Sequence, residues 1–452
     1  MGPNIAMLAG EISGDLVGGA LAREIRALCP DVDLWGTGSA RMADAEVELL
    51  FDSAEWGAIG ILQAVQLYPR FKWHILPRVQ QELLRRRPAL TICIDFGAFN
   101  VFVAGWCKRH GLRVLYYVPP GSWKRQGKAS PALANAADLI VTPFDWSVER
   151  YTRAGGNVKF LGHPLLDVVR PSMTRAEFAS KFGLEPGKPI VGLLPGSRRY
   201  EIEYNTPAMV EAAKKIRAEI PDAQFVFGIS SSTPRESIER WLSRAPSEHE
   251  HGHGDGGLVV AITTKIARLS EKLLKRSDPH FVTPEGVQVP ASAVRKQEAR
   301  ERARRARECA DPPPTVIASG ITYDVQAHSD VLLCCSGTAT LEAAILGTPM
   351  VILYRIPRWM EVEGRLRRLD KRIVHMGLPN IIADKRIVPE LLQDEASPEA
   401  LAANALKLLT DPVARAETKT ALARIRESLG SPGASKRAAE LAVEIAGIAR
   451  AK

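Results

Sequence analysis

The sequence predicts an α/β protein with two Rossmann-like, doubly wound parallel-sheet domains that face a cleft and end in C-terminal helices. Short apolar runs, typical of buried strands, alternate with helical patterns along most of the chain, as in repeated βαβ units. The chain has 452 residues, which exceeds one ordinary domain. The turn-rich segment LGHPLLDVVRPS, ending at Ser172, marks a division. We therefore expect one domain over 1–165 and a second over 166–452, with ligands bound at the carboxyl ends of the strands.

The predicted strands fall on both sides of this division. In chain order they are Asn4–Ala9, Asp33–Gly36, Leu90–Ile94, Arg113–Val118, Leu139–Thr142, Val158–Leu161, Pro189–Leu194, Gln224–Gly228, Val316–Ala318, Val331–Cys335 and Met350–Tyr354. Helical patterns fall between them, for example Gly14–Ala27 and Phe71–Arg86, and the C-terminal part, Ser397–Ala451, also has helical composition.

A segment of about 70 residues, 246–314, interrupts the second domain. It opens with a Gly- and His-rich stretch and continues with a strongly basic run, which together predict an insertion that is partly without regular structure and partly a basic helix. His249, His251 and His253 alternate in the Gly-rich stretch. Adventitious metal binding and a plain loop are both compatible with that pattern, and no functional metal site is predicted.

Composition limits the class of protein and its partners. No apolar stretch reaches the roughly 18 to 20 residues that span a bilayer, and the N-terminal run Asn4–Ala9 reads as a buried strand rather than a signal peptide. Six cysteines without CxxC or metal-ligand spacing predict a reducing, cytoplasmic environment. A net charge of +9 serves solubility or attracts an anionic partner. Aromatic residues are not interleaved with the basic ones, so nucleic acid is not an expected partner.

Two predicted strand ends in the second domain carry groups that suit a nucleotide diphosphate. The run VGLL stops at a Pro-Gly-Ser turn that delivers Arg198, whose guanidinium can bind phosphate oxygens bidentately. The strand Val331–Cys335 runs into small residues and then a helix, whose free N–H groups attract phosphate; these residues are Ser336, Gly337, Thr338, Ala339 and Thr340. Glu342, one turn further, can accept both hydroxyls of a ribose. The alternatives are a surface arginine paired with Glu201 or Glu203, and a capped helix that packs on a sheet.

Asp95 is the candidate catalytic residue of the first domain. It follows the buried run LTICI and would lie at the carboxyl end of a parallel strand, where α/β folds place catalytic groups. A carboxylate there can act as a general base on a substrate hydroxyl; the alternative is an Asx turn or helix N-cap. Glu11, Ser13 and Asp15, in the turn after the first strand, are expected at the edge of the cleft. That turn contains Gly10, Gly14, Gly18 and Gly19 but not GxGxxG, so its glycines favour close helix packing over a dinucleotide site.

The stretch Trp56–Trp73 combines apolar side chains with Arg70 and Lys72. An exposed apolar patch edged with cations would dock on an anionic membrane, whereas a helix with an ordinary core-facing side would not. A basic helical pattern that begins at Arg358 would add to the same surface or form a solvated face.

Taken together, these motifs resemble those of the lipid-A-disaccharide synthase family, inverting glycosyltransferases of the GT-B fold. The matching segments occur in the family's order: AGEISGD at Ala9–Asp15, WGAIGI at Trp56–Ile61, ID and FN within Ile94–Asn100, YVPP at Tyr117–Pro120, LGHP at Leu161–Pro164, LLPGSR at Leu193–Arg198, CSGTATLEAAILGTPMV at Cys335–Val351 and GLPNIIA at Gly377–Ala383.

The resemblance implies transfer of a diacylglucosamine unit from UDP-diacylglucosamine to diacylglucosamine 1-phosphate, which forms the lipid A disaccharide and UDP. It implies Asp95 as base on the acceptor's 6-hydroxyl, Arg198 on the UDP diphosphate, Glu342 on the ribose and Asn380 near the nucleotide, with Ser336–Thr340 around the phosphates. No cofactor and no metal are expected, since an arginine and a helix dipole can offset the leaving charge. The implied partners are a UDP-sugar, a glycolipid acceptor and the anionic surface of the inner membrane, with a peripheral, cytoplasmic location. The oligomeric state stays open.

The chain departs from the family pattern near the expected acceptor side. The family's SPSVWAWR stretch is represented by PPGSWKRQGK, which contains Trp123, and Ala98 stands where the family has a second aspartate. Tyr117 and Trp123 are therefore weaker candidates for acceptor contact. A UDP-sugar transferase with another acceptor stays open, as do a UDP-sugar epimerase or hydrolase and a non-catalytic UDP-sugar-binding protein.

Overall fold

The computed structural model describes residues 3–54, 56, 69–125, 129–231, 233–242, 280–282, 288–290, 313–357 and 374–449. Several predictions fall outside these residues: most of the Trp56–Trp73 stretch, the basic pattern that begins at Arg358, the three alternating histidines and most of 246–314.

The first sheet contains seven parallel strands from the N-terminal part of the chain. They are β1 (Asn4–Ala9), β2 (Asp33–Gly38), β3 (Glu48–Asp52), β4 (Leu90–Ile94), β5 (Val114–Tyr117), β6 (Leu139–Thr142) and β7 (Val158–Phe160). Their spatial order is β3-β2-β1-β4-β5-β6-β7, with Ile5 paired to Leu34 on one side and to Leu90 on the other. The chain thus starts in the middle of the sheet and builds outward in both directions.

The second sheet has six parallel strands and the same arrangement. They are β8 (Ile190–Leu194), β9 (Gln224–Ile229), β12 (Thr315–Ser319), β13 (Val331–Cys335), β14 (Met350–Tyr354) and β15 (Glu390–Leu392), in the order β12-β9-β8-β13-β14-β15. Between β9 and β12 a small antiparallel hairpin joins β10 (His280–Val282) and β11 (Gln288–Pro290). The predicted fold class, two doubly wound parallel sheets, is confirmed.

Helices connect the strands and cover both sheets. In the first half they are α1 (Ile12–Leu28), α2 (Ala40–Ala43), a π-helix (Phe71–Ile75) that leads into α3 (Leu76–Arg86), α4 (Gly97–Arg109), α5 (Pro131–Ala136), α6 (Trp146–Arg153), α7 (Leu165–Val168) and α8 (Arg175–Phe182). The second half has α9 (Arg199–Glu219), α10 (Glu236–Leu242), α11 (Thr322–His328), α12 (Thr338–Leu346), α13 (Leu378–Ala383), a 3-10 turn (Gln393–Glu395), α14 (Pro398–Thr410), α15 (Pro412–Ser428) and α16 (Ala434–Ala446). Among the described residues, no helix is both long and apolar enough to cross a bilayer.

The glycines of α1 allow the close packing that the sequence predicts. A Cβ on Gly18 would lie 2.9 Å from the sulfur of Met42, and one on Gly19 would lie 2.5 Å from the carbonyl oxygen of Arg41. Both distances are below van der Waals contact. The helix therefore approaches α2 and the sheet at a distance that larger residues would prevent.

The C-terminal helix α16 returns to the first sheet and packs on α1. The backbone N–H of His163 donates to the carbonyl of Leu429 over 2.8 Å, and Asp167 accepts from the N–H of Ser435 over 2.7 Å. These contacts fasten the connection after β7 to the last part of the chain. The division at 165/166 stays a prediction, although the strands of the two sheets do separate between Phe160 and Ile190.

Sequence patterns missed four short strands. The residues of β3 are half-buried or exposed along their length, so their apolar signal is weak. The strand β15 has three residues and begins with the buried Glu390, a residue type rarely placed in a strand core. The hairpin β10–β11 lies in the insertion, where no strand was expected.

Candidate active site

Each sheet has one point where its strand order reverses, and four of the predicted site residues follow the strands that flank these two points. In the first sheet the reversal falls between β1 and β4, whose ends lead into Glu11 and Asp95. In the second it falls between β8 and β13, which lead into Arg198 and Ser336. Open α/β sheets bind ligands at the carboxyl ends of strands at such points. The fold therefore provides two facing binding edges.

Asp95 occupies a sharp turn that several polar groups hold in place. Asp95 and Phe96 both have φ near +47°, a left-handed conformation that is costly for residues with a side chain. The hydroxyl of Tyr116 donates to the carbonyl oxygen of Asp95 over 2.7 Å. The amide of the buried Asn100 donates to the carbonyls of Ile94 at 3.0 Å and of Asp95 at 3.2 Å. This network fixes the backbone of Asp95, from which the carboxylate projects, just before α4.

The environment of Asp95 makes it a stronger base than an ordinary aspartate. The pKa of Asp95 is raised to about 6, mainly by burial and also by the negative charge of Glu11, while a hydrogen bond from the Phe96 backbone opposes the rise. A carboxyl group with such a pKa is ionised at neutral pH and still takes up a proton more readily than a surface aspartate. The site can therefore support general-base chemistry on a hydroxyl.

Glu11 lies between the two binding edges. It immediately precedes α1 without capping that helix through its side chain. Burial raises the pKa of Glu11, and the charge of Arg198 opposes that rise. Its carboxylate lies 3.5 Å from the guanidinium of Arg198 in the other half of the molecule. Ser13 follows in the first turn of α1 and is half-buried; its position at the edge of the cleft stays a prediction.

Asp15 faces another helix. Its buried carboxylate accepts the backbone N–H groups of Ser39 at 2.6 Å, Arg41 at 2.9 Å and Met42 at 3.0 Å. It therefore caps the N-terminus of α2. These hydrogen bonds give Asp15 a structural role within the first domain.

The two weaker acceptor-side candidates have different surroundings. Tyr117 is buried in the core beneath the first sheet, and burial raises the pKa of its hydroxyl. Trp123 is 39% exposed, with the ammonium of Lys124 5.1 Å from its ring centre. Of the two, only Trp123 presents a surface to solvent.

Arg198 is held by the carboxylate of Glu201. Its guanidinium donates to Glu201 over 3.0 Å, while the other oxygen of Glu201 accepts the backbone N–H groups of Ser197 and Arg198 at 3.0 and 3.1 Å. The pairing with Glu201 that the sequence offered as an alternative is thus present. It also orients the guanidinium, because Glu201 is itself buried and fixed to the turn.

The loop Ser336–Thr340 offers open backbone at the N-terminus of α12. A Cβ built on the exposed Gly337 would meet no atom within 4 Å. Ser336 and Thr340 shape the loop: the first donates its hydroxyl to the carbonyl of Met376 over 2.9 Å and the second to that of Gly337 over 2.8 Å. Thr338 and Ala339 are half-buried in the first turn. Space beside a helix N-terminus suits a phosphate group.

Glu342 points toward two donors on α11. The hydroxyl of Tyr323 lies 3.4 Å from one carboxylate oxygen and the amide of Gln326 lies 3.2 Å from the other. Burial raises the pKa of Glu342, and these two hydrogen bonds oppose the rise. The carboxylate is thus fixed in α12, in the turn that follows the loop Ser336–Thr340.

The side chain of Asn380 is engaged within its own loop. It is buried, its amide donates to the carbonyl of Val388 over 2.9 Å, and its oxygen accepts the N–H groups of Ile387 and Val388 at 2.7 and 3.0 Å. It therefore joins α13 to the segment before β15. The hydroxyl of Thr340, 3.3 Å from the N–H of Leu378, links this loop to the phosphate loop.

Reasoning from sequence did not find several residues that support the site. Tyr116 and Asn100 hold Asp95, and Tyr323 and Gln326 hold Glu342. The pairing of Arg198 with Glu201, in contrast, was offered by the sequence, and a spacing of three residues suits it. Within the described part of the chain, no group of three or more His, Cys, Asp or Glu side chains could hold a metal ion.

Comparison with known proteins gives one family over nearly the whole chain. The model of the family described as lipid-A-disaccharide synthetase matches residues 5–269 and 286–445. The lipid-A-disaccharide synthase of Geobacter sulfurreducens is 34% identical over 444 residues, covering 98% of this chain and 97% of that protein. The enzyme of the same name from Anaeromyxobacter dehalogenans is 31% identical over 450 residues, covering 99% and 97%.

Solved structures with low sequence identity share the fold. UDP-GlcNAc 2-epimerase from Neisseria meningitidis, bound to UDP-GlcNAc, has a TM-score of 0.56 at 11% identity, covering 98% of this chain and 100% of that one. The glycotransferase of kitacinnamycin has a TM-score of 0.54 at 13% identity, covering 98% of each chain. At these identities the likeness concerns the two-sheet architecture alone.

Proposed function

The chain belongs to the lipid-A-disaccharide synthase family, and from that premise we propose that it transfers a diacylglucosamine unit from UDP-diacylglucosamine to diacylglucosamine 1-phosphate. It is a glycosyltransferase of lipid A disaccharide formation, and its donor is a UDP-sugar. One observation supports the roles proposed for individual residues. The Asp95 carboxylate, at the strand-order reversal of the first sheet, and Arg198, at that of the second, are connected through Glu11, which lies 3.5 Å from Arg198.

The second half of the chain, 166–452, binds the donor in this proposal. Arg198 binds the diphosphate through its guanidinium, and the backbone N–H groups of Gly337, Thr338 and Ala339 at the N-terminus of α12 bind phosphate oxygens along the helix dipole. The N–H groups of Ser336 and Thr340 donate to the carbonyls of Leu353 and Gly337, so these two residues shape the loop around the phosphates. Glu342 accepts the ribose hydroxyls. Asn380 contributes by holding the loop that packs beside Thr340. These groups stabilise the negative charge that UDP acquires as it leaves.

The first half, 1–165, presents the acceptor to the donor. As the acceptor's 6-hydroxyl oxygen forms a bond to the anomeric carbon of the donor sugar, its proton passes to Asp95. The bond from that carbon to the β-phosphate oxygen breaks on the opposite side, so configuration inverts and UDP departs with the electron pair. Ser13, which is half-buried, and Trp123, which is 39% exposed, are the accessible candidates for acceptor contact in this proposal. Asp15 and Tyr117 are buried and support the first domain from inside.

A peripheral location on the cytoplasmic face of the inner membrane completes the proposal. Trp73 is 65% exposed in the π-helix, beside the exposed Arg70 and Lys72. Phe102 is 50% exposed on α4, and the two elements meet where the rings of Phe71 and Phe99 pack 5.6 Å apart. Exposed aromatic residues beside cations suit an anionic lipid surface, where the acyl chains of both substrates would be presented.

The decisive experiment supplies purified protein with UDP-diacylglucosamine and diacylglucosamine 1-phosphate in mixed micelles. We expect a disaccharide phosphate of the summed mass and one UDP released for each disaccharide formed. UDP release without acceptor would indicate a hydrolase, a changed donor sugar would indicate an epimerase, and UDP binding without turnover would indicate a non-catalytic protein. Disaccharide formation only with a different glycolipid would leave the donor assignment in place and correct the acceptor.

A further inference from the structure

The guanidinium of Arg198 lies close to two carboxylates, although one is enough to balance its charge. Glu201 lies 3.0 Å away on the same helix, and Glu11 lies 3.5 Å away across the cleft. The two carboxylates differ in how firmly they are held. Glu201 is buried and accepts two backbone N–H groups, whereas Glu11 makes no capping hydrogen bond with its own helix and its side chain is 32% exposed.

A donor diphosphate would be a third anion at the same cation. Like charges at such distances repel, and the half-exposed geometry of the Glu11–Arg198 pair makes the pair weak, on the order of 1 kcal/mol or less. Glu201 is held in place, because its carboxylate is buried against Gly196 and accepts the backbone N–H groups of Ser197 and Arg198. Glu11 is therefore the carboxylate that gives way.

We propose that the Glu11 carboxylate competes with the donor diphosphate for Arg198. It pairs with Arg198 across the cleft when no donor is bound, and the donor diphosphate displaces it from the guanidinium. This inference rests on the proposed function and adds a positioning residue to it. Because binding the donor must break the pair, Glu11 lowers the affinity for UDP while it keeps the arginine aimed at the site.

The displaced carboxylate has a second effect, on Asp95. The charged groups around the pair are Asp95 at the end of β4, Glu11 before α1, and Arg198 with Glu201 at the start of α9. While Arg198 faces Glu11, its positive charge offsets the negative one. Once the diphosphate takes Arg198, Glu11 stays beside Asp95 without that cation. Its charge then favours proton uptake by Asp95, so the base is strongest when the donor is present.

The test is a calorimetric titration of UDP into the wild-type protein and into Glu11→Gln, which keeps the size of the side chain and removes its charge. We expect the Kd for UDP to fall by about three- to tenfold in Glu11→Gln, while kcat for disaccharide formation falls by a similar factor because Asp95 loses its charged neighbour. Glu24→Gln, a charge removal on the same helix, should change neither quantity. A loss of packing alone would weaken UDP binding, so the opposite signs of the two effects separate the roles.

Unchanged or weaker UDP binding by folded Glu11→Gln overturns the inference. Should that variant unfold, Glu11→Asp draws the carboxylate back from Arg198 by one methylene, and a smaller gain in UDP affinity is expected; equal or lower affinity is again contrary. The proposed function fails separately, if wild-type protein binds no UDP or if Arg198→Ala binds it as tightly as wild type.

Discussion

Tyr116 donates its hydroxyl to the backbone carbonyl oxygen of Asp95 over 2.7 Å. The bond joins the interior of β5 to the strained turn that ends β4, and Asn100 contacts the same carbonyl from α4 at 3.2 Å. A left-handed aspartate costs on the order of 1 kcal/mol or more, so the surrounding hydrogen bonds must hold it there. The turn is therefore rigid before any substrate arrives, as a base that must meet a hydroxyl within hydrogen-bond reach requires.

Tyr116→Phe tests this positioning. Loss of one buried hydrogen bond should lower the free energy of unfolding by about 1 kcal/mol and lower kcat by about tenfold, because the carboxylate is less well aimed, while UDP affinity is unchanged. Tyr151→Phe is the matched control, since it deletes a similar buried bond, to the carbonyl of Pro120 at 2.8 Å. Equal losses of kcat in the two variants would show that only stability is at stake.

Asp95→Asn tests the base itself. An amide of the same shape cannot take the proton, so we expect kcat to fall by about two to four powers of ten, with UDP affinity within about threefold of wild type. Asp44→Asn, an exposed change at the end of α2, should leave the rate unchanged. Turnover of Asp95→Asn at the wild-type rate would remove Asp95 from the mechanism.

The raised pKa of Asp95 predicts the acidic limb of the pH–rate profile. Since burial holds this pKa at about 6, the reactive carboxylate is half protonated near that pH. The value of kcat/KM should then fall by about tenfold for each pH unit below it. The groups that act on Asp95 are Glu11 and the Phe96 backbone N–H, and Arg198 lies next to Glu11. A limb centred near pH 4 would mean that Asp95 titrates as an ordinary aspartate.

The raised pKa of Asp95 also affects stability: activity should increase as pH rises through about 6, whereas stability should decrease. A carboxyl whose pKa is higher in the folded than in the unfolded protein binds its proton more tightly when folded. Its stabilising contribution is therefore complete below about pH 4 and is lost as pH rises through about 6. Asp95→Asn should accordingly raise the free energy of unfolding at pH 7.5, on the order of 1–3 kcal/mol, and raise it less at pH 5. Thermal unfolding at both pH values measures this, and a variant less stable at pH 7.5 would contradict it.

The main binding edges could be predicted from sequence because a buried strand is a continuous apolar run that stops where the strand ends. Asp95, Arg198 and Ser336 each follow an apolar run that stops at a turn, and parallel strands place those ends at one edge of a sheet. Asp15 shows where such reasoning stops. Its three partners, from Ser39 to Met42, lie more than 20 residues away along the chain, and no local pattern reports a capping contact of that separation.

Tyr116 and Tyr117 show a second limit. Successive residues of a strand point to opposite faces, and both faces of a parallel sheet are covered, so neighbouring apolar residues look alike in sequence. The resemblance singled out Tyr117, which is buried against α1 and α16, whereas Tyr116 on the other face reaches the catalytic turn. Only the register of β4 and β5 distinguishes them, with Cys93 opposite Tyr116 and Ile94 opposite Tyr117.

Glu342→Ala tests the donor site through the ribose. Loss of two charge-assisted hydrogen bonds should weaken UDP binding by about ten- to a hundredfold. Wild type should prefer UDP to 2′-deoxy-UDP, because Glu342 accepts the 2′-hydroxyl. This preference should be smaller in the variant, which has no carboxylate to bind that hydroxyl. Calorimetry with both nucleotides measures the two effects, and Glu417→Ala on the exposed face of α15 is the control. A preserved preference for UDP in Glu342→Ala would place the ribose elsewhere.

Asn380→Ala distinguishes direct nucleotide contact from loop support. The change leaves the carbonyl of Val388 and the N–H groups of Ile387 and Val388 without their side-chain partners in a buried site. Each unsatisfied buried group costs about 1–3 kcal/mol, so we expect a loss of at least about 2 kcal/mol in the free energy of unfolding, measured in urea. Asn404→Ala, which removes one local bond on α14, should cost less than half as much. If Asn380 contacted the nucleotide directly, Asn380→Ala would bind UDP more weakly at an unchanged free energy of unfolding. That result would show that Asn380 binds UDP and does not only support the loop.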